Sequence, residues 1–282
     1  MTTQLKTKPF IKWAGGKQAL ASTLTKLFPT DFRRYYEPFI GGGSVLFEVS
    51  PKNAVVGDLN DWLVDTYCAI RENWSKVASI LDTYENTRHE FCRIRAIDPS
   101  SLDLFERAAQ FIYLNKTCFR GLFRVNGKGR FNVPYGEYQR AYYDPANLSM
   151  ASTALEQVEL RIGDFELAVQ DCSEGDFIYF DPPYYKLGGF SDFNRYTKGQ
   201  FREQDQFRLA ALCREFDHRG IRWAVSNSDT VFVRSLFEGF PMREIANRRE
   251  INLSSQNRTV IELLITNYET PKRLTQLSLF PD

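Results

Sequence analysis

The stretch RYYEPFIGGGSVLFEV, residues 34–49, decides how the rest of the chain is read. A short apolar approach runs into three glycines, Gly41 to Gly43, and a helical VLFEV follows; strand, glycine loop and helix open a nucleotide-type α/β unit. Glycine lets a backbone come close to a ligand. Two phosphate-binding loops are excluded. G-x-G-x-x-G fails because Leu46 stands at the third glycine, and G-x-x-x-x-G-K-[ST] fails around Gly16-Lys17, with Ile11 and Gln18 at its ends. What remains is a loop suited to a nucleoside without a polyphosphate, or a tight turn without a ligand. NAVVGDLN at 53–60 supplies the next strand, whose terminal Asp58 is placed to accept from ribose hydroxyls.

A second stretch, IYFDPPYY at 178–185, sets an aspartate, two prolines and a tyrosine directly after a strand-like apolar run. A continuous apolar run suits a parallel strand covered on both faces, and ligands gather at the carboxyl ends of such strands. Asp181 then stands at a pocket rim. Two prolines remove backbone donors and leave carbonyls pointing outward beside a tyrosine. A bare DPP also suits a strand end stopped by prolines, with its aspartate at the surface.

The remaining pattern is α/β with an excursion. FIKWAGGKQALASTLTKLFP at 10–29 predicts a turn over 14–16 and a helix that stops before Pro29. Residues 61–115 read as helical with polar breaks at 98–101, and LFRVNGKGRFNVPYG at 122–136 as two short strands about an Asn126-Gly127 turn. VELRIGDF, a helix over 203–218, IRWAVSNSD and TVIELLITNY then restore the sheet rhythm. This pattern implies an insert between two halves of one α/β domain.

At 282 residues and 43% hydrophobic content the chain can bury a large core. No apolar run reaches the ~20 residues of a membrane span, and MTTQLKTKPF lacks a signal-peptide core, so a cytoplasmic protein is expected. Five cysteines without a CxxC pair, beside two histidines, suggest neither a metal site nor a disulfide framework. The net charge is +1, yet Lys116, Arg120, Arg124, Lys128, Arg130 and Arg140 face only Glu137 between residues 116 and 140. Such a local excess suits nucleic acid.

Together FIKWAGGK at 10–17, EPFIGGGSVLFE at 37–48, GDLN at 57–60, FRGLFRVNGKGRFNVPYG at 119–136, IGDF at 162–165, DPPY at 181–184 and SNSD at 226–229 resemble the Dam-type (D12 class) adenine N6 DNA methyltransferases, in their order. The resemblance covers residues from about 8 to 268. It implies a doubly wound Rossmann-like S-adenosylmethionine methyltransferase domain with an inserted, mainly helical target-recognition domain carrying a β-hairpin. The expected division is 1–60 and 148–270 for catalysis, 61–147 for DNA and 271–282 for a tail. It further implies double-stranded DNA as partner and S-adenosyl-L-homocysteine as product.

By resemblance Trp13, Lys17, Asp58 and Asp181 hold the cofactor, with Gly41 and Gly43 in the loop and Phe39, Asp164 and Phe165 as further candidates. Asp181, Pro182, Pro183 and Tyr184 form the catalytic motif. An adenine amino group is a poor nucleophile, and acceptors at Asp181 and the Pro182 carbonyl suit its two hydrogens and the charge that develops on methylation. Tyr184 would stack on a base flipped from the duplex. Neither a metal nor a covalent nucleophile is required. In the insert, basic residues alternate with aromatics, and a hairpin carrying Arg124 and turning at Asn126 suits the major groove. The resemblance points to Lys12, Leu122, Arg124 and Pro134 as readers of GATC and to Phe119 as a wedge. Phe119-Arg120 departs from the Tyr-Asn pair usual in the enterobacterial members, which touches the outer-base preference. Arg248, Arg249, Ser254, Ser255 and Arg258 suit phosphate contacts.

Two other readings stay open: amino methylation of cytosine, for which the first motif residue is more often serine, and a catalytically inactive DNA-binding homologue. Gln276, Leu277, Ser278, Leu279 and Phe280 look like the peptide that docks bacterial proteins on the replication sliding clamp, or alternatively a terminal turn. Nothing demands a dimer, and a monomer is expected.

Overall fold

Parallel apolar strands fall in the centre of one mixed, seven-stranded sheet in the computed structural model, which describes residues 6–127, 129–185, 201–248 and 259–271. The strands are β1 (Tyr35–Glu37), β2 (Ala54–Asp58), β3 (Val158–Ile162), β4 (Phe177–Phe180), β5 (Arg222–Ser228), β6 (Met242–Arg248) and β7 (Thr259–Thr266). They lie in the order β3-β2-β1-β4-β5-β7-β6, with β7 antiparallel to both of its neighbours. Tyr36 of β1 pairs with Val55 on one side and Ile178 on the other. The strand order therefore reverses between β1 and β4, the switch point at which folds of this kind take ligands beyond the carboxyl ends.

Helices cover both faces. The chain adds α1 (Ala21–Thr25), α2 (Ser44–Val49), α3 (Asp61–Leu81), α4 (Arg88–Ala96), α5 (Leu104–Thr117), α6 (Pro145–Leu155), α7 (Phe165–Ala168), α8 (Glu203–His218) and α9 (Val231–Leu236). Alternation along the strands sends Tyr35, Phe177, Tyr179 and Ala224 into a core shared with α2, α3, α5 and α6. Tyr36, Ile178, Phe180, Trp223 and Val225 enter the other core, against α7, α8 and α9. The first core is continuous from the sheet into the helices of the insert, and the borders expected at 60 and 147 fall at the N-cap of α3 and inside α6. No described helix is long and apolar enough to cross a membrane.

Local chemistry explains the helix ends. Asn60 caps α3, Thr87 caps α4, and Asp103 with Glu106 forms a capping box at α5. Asp98 caps a single 3₁₀ turn at Pro99–Ser101, the polar break expected there. α3 bends at Asn73, whose side chain leaves its own backbone non-helical and accepts from Lys76 N–H to start the second segment.

Two expectations are corrected, and one strand was not foreseen. The helix expected over most of 17–28 shrinks to α1, preceded by a turn in which Leu20 and Ala21 N–H share the Lys17 C=O and which no side chain caps. The expected hairpin strands reduce to two isolated bridges, Val125 with Phe131 and Cys118 with Tyr135, and the left-handed residue of the turn is Gly129 rather than the Asn-Gly pair. Pro134 has no N–H to extend such a ladder. β6 was not apparent in PMREIANRR, where charged residues interrupt the alternation as an edge strand allows.

Removing the α5 cap is expected to matter for stability: Asp103→Ala should lower unfolding free energy by about 1 kcal/mol in urea titrations, with an unchanged dependence on urea.

Candidate active site

The crevice at the sheet's switch point gathers the carboxyl ends of β1, β2, β3 and β4. Gly41 adopts φ +47°, and a Cβ there would stand 2.6 Å from Trp13 Cδ1. A glycine is required at that contact. Gly43, at φ +71°, has the Tyr67 hydroxyl where a Cβ would fall, at 2.7 Å, and that hydroxyl donates to Gly41 C=O at 3.0 Å. At the end of β2, Asp58 accepts from Gly41 N–H at 3.3 Å and Asn60 N–H at 3.0 Å. Burial pushes its carboxyl up to about 6, against those N–H donors, which leaves it mostly ionised at neutral pH. Phe39 stacks on Phe165 at 5.5 Å, and Asp164 caps α7 while Arg208 grips its carboxylate at 2.8 Å. A flexible-backbone loop, an ionised acceptor at β2 and an aromatic pair fit a nucleoside cofactor.

The DPPY segment forms the second half. Lys17, 5% exposed, is delivered by the turn at Gly15, whose C=O accepts its ammonium at 2.9 Å. The ammonium lies 2.8 Å from Asp181 Oδ1, a charge-assisted contact at hydrogen-bonding distance that favours the charged form of the carboxylate. Burial raises the Asp181 carboxyl above its ordinary value, with Lys17 opposing. The Tyr184 hydroxyl donates to Glu262 at 2.9 Å, and Lys17 covers one face of its ring at 4.6 Å. The Pro183 carbonyl is taken by Gln206 at 3.0 Å, and Gln206 is itself held by Asn227. Among the described residues no hydrogen bond is made to the Pro182 carbonyl. A charged carboxylate and an uncommitted carbonyl thus follow one another after β4.

Trp13 links this crevice to the insert. Its indole stacks near-parallel on Phe123 at 5.6 Å and on Phe111 at 6.4 Å, while the Gly41 loop lies against its edge. Lys12, one residue earlier, exchanges backbone hydrogen bonds with the buried Asn115 amide at 2.8 Å, and that amide also donates to Gly121 C=O. Phe119 N–H donates to Pro134 C=O at 2.8 Å. Lys12, Phe119, Arg120, Leu122 and Pro134 are therefore brought together. Phe119 is 46% exposed. Arg120 stands in the left-handed region at φ +60°, a conformation that costs an L side chain about 1–2 kcal/mol, with its N–H held by the Tyr138 hydroxyl. Arg124 is steadied on the hairpin by Asn132 Oδ1 at 2.8 Å. Asn126 forms the turn, accepting from Gly129 N–H. Arg248 ends β6; Arg249, Ser254, Ser255, Arg258 and Gln276 to Phe280 lie outside the described residues.

Sequence reading missed Glu37, Gln206 and Glu262. Each is a polar side chain where the pattern calls for burial: Glu37 ends β1, Gln206 faces inward from α8, and Glu262 interrupts apolar β7. Burial pushes the Glu37 carboxyl up to about 8, and it accepts the Tyr35 hydroxyl at 2.8 Å.

The sequence profile of the D12 class N6 adenine-specific DNA methyltransferases matches residues 13–251. The chain is 38% identical to Type II methyltransferase M.MjaIII of Methanocaldococcus jannaschii, over 94% of this chain and 100% of that one. It is 35% identical to Type II methyltransferase M1.LlaDCHI of Lactococcus lactis, over 93% and 95%. Against the DNA adenine methylase of Escherichia coli it is 28% identical, over 94% and 96%. The chain belongs to the D12 class of adenine-specific DNA methyltransferases. Its substrate is accordingly double-stranded DNA, and membership implies S-adenosylmethionine as methyl donor.

Two measurements test this geometry. Gly41→Ala should weaken cofactor binding about tenfold by displacing Trp13, read from tryptophan fluorescence on titration. Glu37 has a folded-state value above its unfolded one, so its contribution to stability is full at low pH and is lost as pH rises through about 8. Glu37→Gln should flatten the fall in stability between about pH 5 and about pH 8.

Proposed function

We propose that Asp181 and the Pro182 carbonyl form an amino-group clamp that methylates N6 of an adenine turned out of the duplex, within GATC. The observation that carries this reading is a carboxylate held in its charged form by Lys17 at 2.8 Å, next in the chain to a Pro182 carbonyl that accepts no hydrogen bond from the described residues. S-adenosylmethionine supplies an electrophilic methyl group. Asp181 and Pro182 accept the two amino hydrogens, turn the nitrogen lone pair out of conjugation and stabilise the positive charge that develops on it. Lys17 keeps Asp181 in its accepting form. Pro183, tied through Gln206 to Asn227, holds the segment in place, so that little reorganisation is needed at transfer.

The Tyr184 ring, covered by Lys17 at 4.6 Å on one face, stacks on the flipped base with its other face. Trp13, Lys17, Gly41, Gly43, Asp58 and Asp181 would hold the methyl donor, with Phe39, Asp164 and Phe165 as further contacts. Phe119, exposed at the tip of its turn, fills the gap left in the duplex, and Arg124 presents donors to a guanine in the major groove. Lys12, Leu122 and Pro134 complete the reading of GATC, Arg120 flanks the wedge, and Asn126 shapes the hairpin tip. Arg248, Arg249, Ser254, Ser255 and Arg258 fix register on phosphates. Residues 61–147 serve as the target-recognition part. The tail peptide at Gln276–Phe280 docks on a sliding clamp, a reading that fails if Leu279→Ala with Phe280→Ala leaves peptide binding unchanged.

Incubation with labelled S-adenosylmethionine and unmethylated plasmid, followed by mapping of the modified base, tests the whole. N6-methyladenine confined to GATC is expected; methylation at another sequence would keep the clamp and overturn the hairpin reading. Asp181→Ala should lower kcat by about 100- to 1000-fold while leaving DNA affinity largely intact. Arg124→Ala should cost about 1–3 kcal/mol of discrimination at its guanine.

A further inference from the structure

Glu262 stands in the apolar strand β7, opposite Ser228 of β5 and Ile245 of β6, and is 5% exposed. A carboxylate at that depth must be held by partners. Its Oε2 accepts the Tyr184 hydroxyl at 2.9 Å and lies 3.9 Å from the Lys17 ammonium. The same ammonium sits 2.8 Å from Asp181 Oδ1 and 4.6 Å from the centre of the Tyr184 ring. One cation is bracketed by two carboxylates, and the motif's ring is fixed at its face by Lys17 and at its tip by Glu262. A strand outside every motif singled out in the sequence thereby reaches the reacting centre.

We propose that Glu262 is a positioning residue of the methyl-transfer site: through the Tyr184 hydroxyl it fixes the plane of the ring, and across Lys17 it sets the charge felt at Asp181. The inference rests on the reading of Asp181–Tyr184 as an amino-group clamp. Ring orientation matters because a tyrosine ring otherwise turns in a broad torsional well, and small misplacements of a reacting group are costly in rate. Among the described residues, Glu37, hydrogen-bonded to Tyr35 of β1, and Tyr179, paired with Ser226, also act on this cluster. Burial raises the Asp181 carboxyl first; Lys17 opposes, and the Glu262 charge then raises it further. Glu262→Gln keeps an acceptor for Tyr184 and removes that charge, so Asp181 should ionise at lower pH.

The test compares Glu262→Gln, Glu262→Ala, Tyr184→Phe and Glu262→Ala with Tyr184→Phe in the full chain, by kcat and kcat/KM across pH. Glu262→Ala and Tyr184→Phe should each lower kcat about tenfold, the loss of one charge-assisted hydrogen bond, and the double variant should be no worse. Glu262→Gln should restore kcat to within about threefold of wild type while moving the acid limb of kcat/KM to lower pH. Losses that multiply in the double variant, or an acid limb that stays in place in Glu262→Gln, would overturn the inference. If Glu262→Ala does not fold, the acid limb of Glu262→Gln and the kcat of Tyr184→Phe decide alone. Absence of adenine methylation by the wild-type chain would instead remove the clamp reading on which this one stands.

Discussion

The ion pair between Lys17 and Asp181 is the contact on which the site depends. Both groups are withdrawn from water, and separating such a pair by removing one partner costs about 3–5 kcal/mol, because the survivor is left buried and uncompensated. The pair therefore constrains its surroundings. The turn before α1 brings Lys17 to the carboxyl end of β4, where its ammonium reaches Asp181 and donates to Gly15 C=O. Tyr184 and Glu262 close around the same ammonium. Asp181, held above its ordinary value by burial, stays an acceptor because that cation is there.

A single segment, Phe10 to Lys17, ties the sheet to the insert. Phe10 and Ile11 enter the core, Lys12 is bound by Asn115 of α5, Trp13 lies between the glycine loop and Phe123, and Lys17 reaches Asp181. Few intervening groups separate the hairpin from the cofactor crevice. A shift of Phe123 must be felt by Trp13, since protein interiors are packed too closely to absorb it. The continuity of one core across the sheet and the helices of the insert gives the same rigidity on a larger scale.

Much of this architecture is legible in the sequence. β2 and β4 carry the apolar runs AVV and FIYF of strands covered on both faces, and α8 falls on the expected 203–218 because its inward residues repeat at helical spacing. The hairpin was legible in kind only. Its ladder is cut short by Pro134 and by the left-handed Arg120-Gly121 turn, features that depend on the close approach of Lys12 to Gly121. Glu37, Gln206 and Glu262 were missed for a related reason. A single polar residue in an apolar run carries no spacing signal, and its partners lie on strands and helices distant in sequence.

The sequence by itself determined the α/β rhythm, the excursion of the insert and the order of the motifs, since these are written in local periodicity and in glycine and proline placement. The tertiary structure decided the electrostatics. Whether Asp181 is ionised, which face of Tyr184 is covered and which carboxylates share Lys17 depend on groups on β1, β4 and β7 meeting at one point. Charge interactions act across space at a few ångströms, and no spacing along the chain encodes them.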